Sequence, residues 1–579
     1  YTDMHMETYL TAGYCAATGI YSSHHPPLAT VTASSFPDYI FPRLLELPPD
    51  RPAFVDASTG ATLSFADLRA LSLKAATALS ALGLRRGHVA LLLAPNSLHF
   101  PILSLGVLAL GAVLSTTNPL LTANELAGLA QDSEPFLALT TAELAPKLVS
   151  LTSTRVVLID QFLAGIEDHE AWACHNSPVC QDDPALHFYS SGTTGKSKCV
   201  VSTHGNAIAT GEILQSIWRR GGGGDYGNGN VDVYGCVLPM FHLFGFSMFV
   251  LGTPAMGATT VLVPGRFSVD RLMVAMEEHK VTRLLAVPPI VVQMEKVRAG
   301  ELLLTSTRRR LCLTDVVSSG APLQREQMAR FHSCFPGVKI TQCYGLTEAT
   351  VIVTMDDLSL LHNDDDGTVE VEFSNEPSPT VGRLVPSTEA RIVDVDSGES
   401  LPPNRVGELW LRGPSVMQGY LRCEEATAAA LVVADGGGRW LRTGDLCFVD
   451  FRGFVHVVDR IKELIKYKAY QVAPAELEDV LASHPDIQDV AVAPYPDEEA
   501  GEIPVACVVR KPGSSKLKAQ DIISFVQSKV APYKKVRKVV FVDCIDRSPS
   551  GKILRAQLKS FVRTCEIHGE AELRCANRV

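Results

Sequence analysis

Strand-like and helix-like stretches alternate along most of this chain, and that alternation limits the folds open to it. The apolar run "HVALLLA" at 88–94 is typical of a buried strand, and the amphipathic stretch before it, 64–83, is typical of a helix. Further strand-like runs lie at 155–160, 259–264, 281–288 and 311–320, and a further helix-like run lies at 268–280. Such alternation favours an α/β fold with layered sheets, helices and parallel strands.

The pattern changes after about residue 380 to shorter, more β-like segments. "GELWLRG" at 407–413 alternates apolar and polar residues, and 446–460 predicts a hairpin with its turn at 451–453. A chain of 579 residues is too long for one ordinary core. We therefore predict a poorly defined N-terminal extension (1–34), a large N-terminal domain of several subdomains (35–458) and a small α+β C-terminal domain (459–579).

Composition narrows the possible partners. A net charge of −11 gives no support to nucleic-acid binding, which usually requires a basic face. The 14 cysteines form no C-x-x-C pair, which favours a reducing compartment without a zinc framework. The apolar stretch 100–114 is short for a membrane crossing, and 234–265 is broken by prolines. We expect buried elements there and no transmembrane segment.

The stretch "FYSSGTTGKSK" at 188–198 has the composition of a phosphate-binding loop. It is not a Walker A motif, because Ser190 stands where that motif needs its first glycine. Gly192 and Gly195 would allow a tight turn that exposes backbone N–H groups, and Lys198 would add charge. The hydroxyl donors of the stretch are Ser190, Ser191, Thr193 and Thr194. A plain Ser/Thr/Gly surface turn remains the alternative.

Three distant segments add candidate polar groups. "QCYGLTEAT" at 342–350 offers Thr347 and Glu348, "LRTGDL" at 441–446 offers Asp445, and "RSPSGKILR" at 547–555 places Lys552 on a turn before a helix. Each segment alone is an ordinary turn or cap. Together with the phosphate-loop stretch they call for one common explanation.

In that order, and with "GELWLRG" and "DRIKELIKYKAYQVAPAELE", these segments resemble the motifs of the adenylate-forming superfamily of acyl-CoA synthetases, luciferases and peptide-synthetase adenylation domains. The stretch 461–478 is most similar to plant 4-coumarate–CoA ligases and their ligase-like relatives. The resemblance implies an AMP-forming acid–CoA ligase that uses ATP, Mg²⁺ and CoA on a hydroxycinnamic, other aromatic, fatty or oxo-fatty acid. It also implies a mobile C-terminal domain with one pose for adenylation and another for thioester formation.

The resemblance assigns the nucleotide site residue by residue. Thr347 would contact the α-phosphate, Glu348 would bind Mg²⁺, Asp445 would accept the ribose hydroxyls, and Lys552 would place its cation on the reacting oxygens. The remaining ATP or AMP contacts would be Ser190, Ser191, Gly192, Thr193, Thr194, Gly195, Lys198, Gln342, Cys343, Tyr344, Arg460, Lys466 and the hinge residue Lys462.

The same resemblance assigns the acid and CoA sites. His242 would sit near the carboxylate, so that the implied catalytic set is Lys552, His242, Thr347 and Glu348. CoA would be bound by Arg266, Lys468 and Ala469. The acid pocket would be formed by Phe241, His242, Gly245, Ala321, Gln342, Cys343 and Met355.

Several positions depart from the coumarate-ligase pattern. Ser197 and Cys199 flank Lys198 where a proline and a glycine are usual, Cys343 replaces a common glycine, and Val317 replaces a polar lysine that helps to meet the ring hydroxyl. A more apolar pocket favours a fatty or oxo-fatty acid, or a less hydroxylated aromatic acid, over 4-coumarate.

Two other functions fit the same motifs. One is a luciferase-like oxygenase that uses the adenylate, and the other is a non-catalytic nucleotide or acyl binder that retains the fold. We expect a monomer in the cytoplasm. The peroxisome is the alternative, although the chain ends in "CANRV" rather than an S-K-L-type signal.

Overall fold

The computed structural model describes residues 13–579 apart from several stretches. These are 168, 173–178, 191–196, 219–231, 304–308, 321–322, 324, 351, 356–379, 396, 435–437, 461–464, 469, 473, 515, 547–552, 554, 569–571 and 576–579. Of the predicted site, Ser191, Gly192, Thr193, Thr194, Gly195, Ala321, Lys462, Ala469 and Lys552 lie outside the described residues.

A first sheet of seven strands carries the phosphate-loop stretch. Its strands, in spatial order, are Gly419–Tyr420, Lys198–Thr203, Pro184–Ser190, Val113–Thr116, Val89–Leu93, Leu137–Thr140 and Arg155–Leu158. The five from Pro184–Ser190 onward run parallel, as the alternating pattern predicts. The strand predicted at 155–160, which lies at the edge of this sheet, is shorter than expected because the helix Ile159–Ala164 begins directly after Leu158.

A second sheet of nine strands lies beside the first in one continuous apolar core. Its strands, in spatial order, are Arg383–Leu384, Ile352–Met355, Lys339–Gly345, Asp315–Ser318, Arg283–Ala286, Val233–Cys236, Thr259–Leu262, Pro52–Asp56 and Thr62–Ser64. The six from Lys339–Gly345 to Pro52–Asp56 are parallel. The strand predictions at 259–264, 281–288 and 311–320 are therefore confirmed, with shorter bounds.

Helices cover these two sheets. They are Phe36–Leu45, Phe65–Ala81, His99–Ala109, Ala123–Ser133, Ile159–Ala164, His204–Trp218, Leu243–Phe246, the π-helical Ser247–Gly252, Thr253–Met256, Val269–Glu278, Pro288–Leu303 and Arg325–Cys334, with 3₁₀ turns at Ala145–Leu148 and Thr347–Ala349. The helix Glu424–Ala430 follows the strand Gly419–Tyr420.

The apolar stretch 100–114 forms a buried helix and a buried strand. Every residue from Phe100 to Ala109 is buried, and the helix packs against Phe65–Ala81. Gly106 allows this close approach, because a Cβ there would lie 3.0 Å from the Ser72 carbonyl oxygen and 3.1 Å from the Ala75 Cβ. Within the described residues, no helix is both long and apolar enough to cross a membrane.

A third sheet is antiparallel and includes two short strands at the start of the described residues. It contains Tyr14–Cys15, Ile20–Ser22, Glu389–Val393, Gly407–Arg412, Arg439–Val449, Leu431–Val433 and Val455–Arg460. The predicted hairpin at 446–460 is confirmed, because the strand Arg439–Val449 pairs antiparallel with the strand Val455–Arg460. Tyr21, in the strand Ile20–Ser22, is buried in the core of this sheet.

A separate mixed sheet forms the C-terminal part. It contains Ile465–Tyr467, Tyr470–Val472, Ile487–Asp497, Gly501–Arg510, Lys538–Phe541, Cys565–His568 and Glu572–Cys575, and its helices are Pro474–Ala482, Ala519–Gln527 and Arg555–Arg563. Cys565 is disulfide-bonded, and Cys575 stands opposite it in the strand register. Together with the larger part, this gives the α/β architecture with a small α+β C-terminal unit that the motifs imply.

Replacing Gly407 by Ala should destabilise the third sheet. An added Cβ would lie 2.5 Å from the Val393 carbonyl oxygen, so the paired strands must move apart. We expect a loss of about 1–3 kcal/mol in unfolding free energy, measured by urea unfolding. Gly300→Ala is the matched control, because a Cβ at Gly300 meets nothing within 4 Å and alanine favours a helix. Equal unfolding midpoints for the two variants would contradict the steric argument.

Candidate active site

A cavity of about 600 Å³ opens where loops from both parallel sheets converge. Parallel strands end on one edge of their sheet, and ligands commonly bind outside those carboxyl ends. Val113–Thr116 leads to Thr117 in the cavity wall, Asp315–Ser318 to Ser319, and Lys339–Gly345 to Thr347. The helix Ala123–Ser133 forms one side, and residues of the C-terminal part complete the lining.

The phosphate-loop stretch connects two adjacent antiparallel strands. Ser190 ends one strand and Lys198 begins the next, and these two residues are direct partners in the register. Ser190 and Ser197 line the cavity from the two ends of the loop. A Walker A loop runs from a strand into a helix, so the topology agrees with the rejection of that motif on spacing.

Tyr420 links the phosphate strand to the candidate metal carboxylate. The strand Gly419–Tyr420 pairs with Lys198–Thr203, and the Tyr420 hydroxyl donates to the Glu348 Oε1 at 2.9 Å. The Lys198 Nζ lies 5.1 Å from the centroid of the Tyr420 ring. Burial, followed by the Glu348 charge, raises the pKa of Tyr420, so the phenol stays a donor. Sequence reasoning missed Tyr420, because only the strand pairing brings it to Glu348.

The predicted ribose carboxylate is buried and oriented. Asp445 is 2% exposed, and its Oδ2 accepts a hydrogen bond from the Tyr344 hydroxyl at 2.5 Å. The Asp445 N–H donates to the Thr443 hydroxyl at 3.1 Å. Arg460 stands opposite Asp445 in the strand register. The structure thus places Asp445 and Tyr344 together and brings the Arg460 backbone beside them.

His242 is held in place by its own backbone segment. Both ends of the Asn96 amide bind this segment, since Nδ2 donates to the Leu238 carbonyl and Oδ1 accepts from the Met240 N–H, each at 2.8 Å. Gly245 packs so closely against the Pro239 carbonyl that a side chain there would collide with it. Phe241, His242 and Gly245 all line the cavity, as predicted for an acid pocket.

The imidazole of His242 is set up as a neutral hydrogen-bond donor. It can be reached from the cavity, yet protein surrounds it on its other sides, and this desolvation lowers its pKa to about 4. Its Nδ1 accepts a hydrogen bond from the Phe244 N–H at 3.3 Å. In the neutral ring the proton is therefore on Nε2, where it can be donated to a ligand.

Other predicted residues lie behind or outside the cavity wall. Gln342 is buried, and its Oε1 accepts from the Leu323 N–H at 2.7 Å, so its amide supports the wall. Cys343 and Met355 are also buried and are strand partners. Among the CoA candidates, Arg266 is exposed in the turn before Val269–Glu278, and Lys468 is exposed in a hairpin turn with a φ of 54°. The Lys466 N–H donates to the Glu502 carboxylate at 3.0 Å.

The family model of the AMP-binding enzymes matches residues 41–421. The model of the C-terminal domain of these enzymes matches residues 476–552. A rice (Oryza sativa subsp. japonica) protein named 4-coumarate–CoA ligase-like 8 is 60% identical, with 98% of this chain and 99% of that protein covered. The chain belongs to the AMP-binding enzyme family, among the 4-coumarate–CoA ligase-like proteins. It is an AMP-forming acid–thiol ligase that uses ATP and CoA.

Two further relatives are informative. The peroxisomal OPC-8:0-CoA ligase 1 of Arabidopsis thaliana is 45% identical over 88% of this chain and 90% of its own. The structure of o-succinylbenzoate–CoA synthetase from Bacillus subtilis, bound with a product analogue, matches with a TM-score of 0.74 and 27% identity over 91% of this chain and 98% of that one. Both similarities extend over nearly the full ligase architecture.

Two histidines kept neutral by burial should make the fold sensitive to mild acid. Burial lowers the pKa values of His187 and His204 from 6.5 to about 4. Below pH 6.5 the unfolded chain takes up protons that the folded chain does not bind, so unfolding becomes easier as the pH falls toward 4. The urea midpoint should therefore fall between pH 7.5 and pH 5.

His204→Asn tests this origin directly. The Asn Oδ1 can take over the Phe36 N–H hydrogen bond that His204 Nδ1 accepts at 3.3 Å, but it does not titrate. The variant should lose less stability than the wild type between pH 7.5 and pH 5. An unchanged pH dependence would exclude His204 as a contributor.

Proposed function

We propose that the chain activates a carboxylic acid with an apolar body, of the fatty or oxo-fatty class, and transfers it to CoA through an acyl-adenylate. The supporting observation is that two serine hydroxyls lining the cavity already donate to backbone carbonyls. The Ser247 hydroxyl donates to the Thr350 carbonyl at 2.6 Å, and the Ser319 hydroxyl donates to the Cys343 carbonyl at 2.9 Å. Each hydroxyl hydrogen is already used inside the protein.

The apolar surroundings support the same substrate class. Phe241, Phe244, Met248, Val287 and Ile352 line the same cavity as His242. Val317, where coumarate ligases carry a polar lysine, is 3% exposed in the core. The two serine hydroxyls cannot donate to a ring hydroxyl of the acid, so an acid that carries one gains less on binding than it loses by desolvation. The name of the Arabidopsis ligase for OPC-8:0 is consistent with this choice among the alternatives.

The adenylation step then depends on positioning. One carboxylate oxygen of the acid attacks the α-phosphorus of ATP, and the bond to pyrophosphate breaks. The His242 Nε2–H would hold the other carboxylate oxygen, and Thr347 would contact the α-phosphate. Ser190, Ser197 and Lys198 would bind the outer phosphates from the ends of their loop, and Asp445 would bind the ribose. Lys552 would neutralise the charge that develops between acid and phosphate.

The described residues fit a bound Mg²⁺ at Glu348. Among them there is no cluster of three or more acidic, His or Cys side chains that could enclose a metal. Mg²⁺ bound with nucleotide usually takes one or two protein carboxylates and completes its shell with phosphate oxygens and water. Glu348, oriented by Tyr420 beside the cavity, provides such a carboxylate. When bound, the ion would neutralise phosphate charge.

Thioester formation is the second step. The CoA thiolate attacks the acyl carbonyl carbon, and AMP leaves. Tyr470, from the hairpin Ile465–Val472, lines the cavity together with Tyr533, which supports a pose with that hairpin facing the acyl group. Lys468 stands at the exposed turn of the same hairpin, where it would meet CoA from solvent.

The test is to incubate the protein with ATP, Mg²⁺, CoA and a panel of fatty, oxo-fatty, benzoic, cinnamic and 4-coumaric acids. Mass spectrometry should detect AMP and an acyl-CoA, with a larger kcat/KM for fatty or oxo-fatty acids than for 4-coumarate. Lys552→Ala should reduce adenylate formation by about 100-fold or more. A preference for 4-coumarate would overturn the substrate class. Oxygen uptake with light would indicate an oxygenase, and nucleotide binding without AMP would indicate a binder.

Tyr420→Phe should weaken the binding of ATP with Mg²⁺ specifically. The change removes one hydrogen bond to a charged carboxylate and keeps the ring beside Lys198. A loss of about 1.4 kcal/mol corresponds to a roughly tenfold higher Kd, which calorimetric titration can measure. Tyr344→Phe is the comparison, because it releases Asp445 and should weaken ATP binding with or without Mg²⁺. Identical losses with and without Mg²⁺ for Tyr420→Phe would contradict its role toward Glu348.

The name of the Arabidopsis relative includes the peroxisome, whereas we expect this protein in the cytoplasm. A fluorescent fusion of the chain, imaged together with a peroxisomal marker, distinguishes the two locations. Overlap with the marker would indicate the peroxisome, and diffuse signal would indicate the cytoplasm.

A further inference from the structure

One cation of the C-terminal part is buried between carboxylates of both parts of the molecule. The Lys534 Nζ lies 3.0 Å from the Glu125 Oε1 and 2.8 Å from the Glu476 Oε1, and Lys534 is 8% exposed. Glu125 belongs to the N-terminal helix Ala123–Ser133, and Glu476 belongs to the C-terminal helix Pro474–Ala482. Desolvation disfavours the ammonium, but Tyr533, Glu476 and Glu125 outweigh it, and the net effect raises the pKa of Lys534.

The receptor for this cation is pre-organised on the N-terminal side. The Glu125 Oε2 accepts hydrogen bonds from the Thr122 N–H at 2.8 Å and from the Thr122 hydroxyl at 2.9 Å, in a capping box at the start of the helix. Lys534 binds the other oxygen. Little side-chain freedom is therefore lost at Glu125 when the C-terminal part docks.

Apolar contacts continue from Lys534 toward the cavity. Ala531 is fully buried among N-terminal residues that include Leu121 and Leu126. The Tyr533 ring stacks on Tyr470, with ring centroids 4.2 Å apart. Tyr470 and Tyr533 both line the cavity. A docked Lys534 thus fixes the surface against which the hairpin Ile465–Val472 rests.

We propose that Lys534 is a positioning residue for the thioester-forming step, which it serves by bonding Glu125 and holding the hairpin Ile465–Val472 at the cavity. This inference rests on the proposed function, in which adenylation uses another pose of the C-terminal part. Lys534 lies at the cavity wall, but that scheme gives it no contact with a reacting group. Its loss therefore slows transfer to CoA and leaves adenylate formation intact.

Lys534→Met tests the inference, because methionine keeps an apolar unbranched side chain and removes the charge. Glu125→Gln is the second variant, since Gln can still complete the capping box while its partner loses the ion pair. Lys535→Met is the matched control on the adjacent residue. Pyrophosphate release without CoA measures the first step, and single-turnover conversion of preformed acyl-adenylate to acyl-CoA measures the second.

We expect pyrophosphate release within about twofold of wild type in both variants, and transfer to CoA at least tenfold slower. The double variant should be no slower than Lys534→Met, because both changes break one interaction. Lys535→Met should match the wild type in both steps. Equal slowing of the two steps, or no slowing of the second, would overturn the proposal.

Hydrogen exchange provides a readout that does not depend on turnover. In Lys534→Met and Glu125→Gln, the amides of 526–537 and 465–472 should exchange faster, while those of the central strand Val89–Leu93 should not change. If the wild type forms no AMP with any acid, the proposed function fails, and unchanged exchange at both segments would separately refute the ion pair as a docking contact.

Discussion

A short strand pairing holds the candidate active site together. The strand Gly419–Tyr420 completes the first sheet beside Lys198–Thr203, although it follows directly from the third sheet in sequence. Just before this strand, backbone hydrogen bonds join the Gln418 N–H to the Val201 carbonyl and the Met417 N–H to the Glu348 carbonyl. The phosphate loop, the candidate metal carboxylate and the sheet that carries Asp445 are thereby fixed relative to one another.

The electrostatics of the site follow from how its polar groups are buried. Asp445 and Glu348 each accept a tyrosine hydroxyl, so these carboxylates are oriented before any ligand binds. His242 is uncharged near neutral pH, because the surrounding protein disfavours its cation. An active site that positions an anionic acid beside an anionic nucleotide needs fixed donors, and pre-organised dipoles supply them without reorganisation.

Features that depend on residues close together in the sequence, such as turns and motifs, could be predicted from the sequence. The turn at 451–453 predicted the hairpin correctly, and the order of the motifs predicted the family. The contacts of Tyr420 and Lys534 could not be predicted, because their partners Glu348 and Glu125 are brought near only by strand pairing and by docking. The assigned pocket residue Gln342 faces the backbone behind the wall, a difference that residue type alone does not reveal.

The helix His99–Ala109 has a consequence for how the chain must fold. Every residue from Phe100 to Ala109 is buried, so the helix has almost no polar face that could remain in water. Its cover includes Phe65–Ala81 and the π-helical Ser247–Gly252, and the latter is far along the chain. Until that later segment has folded onto it, the apolar surface of this helix is exposed to solvent. Exposed apolar surfaces promote association between chains. Refolding at high protein concentration should therefore yield aggregates before it yields active ligase.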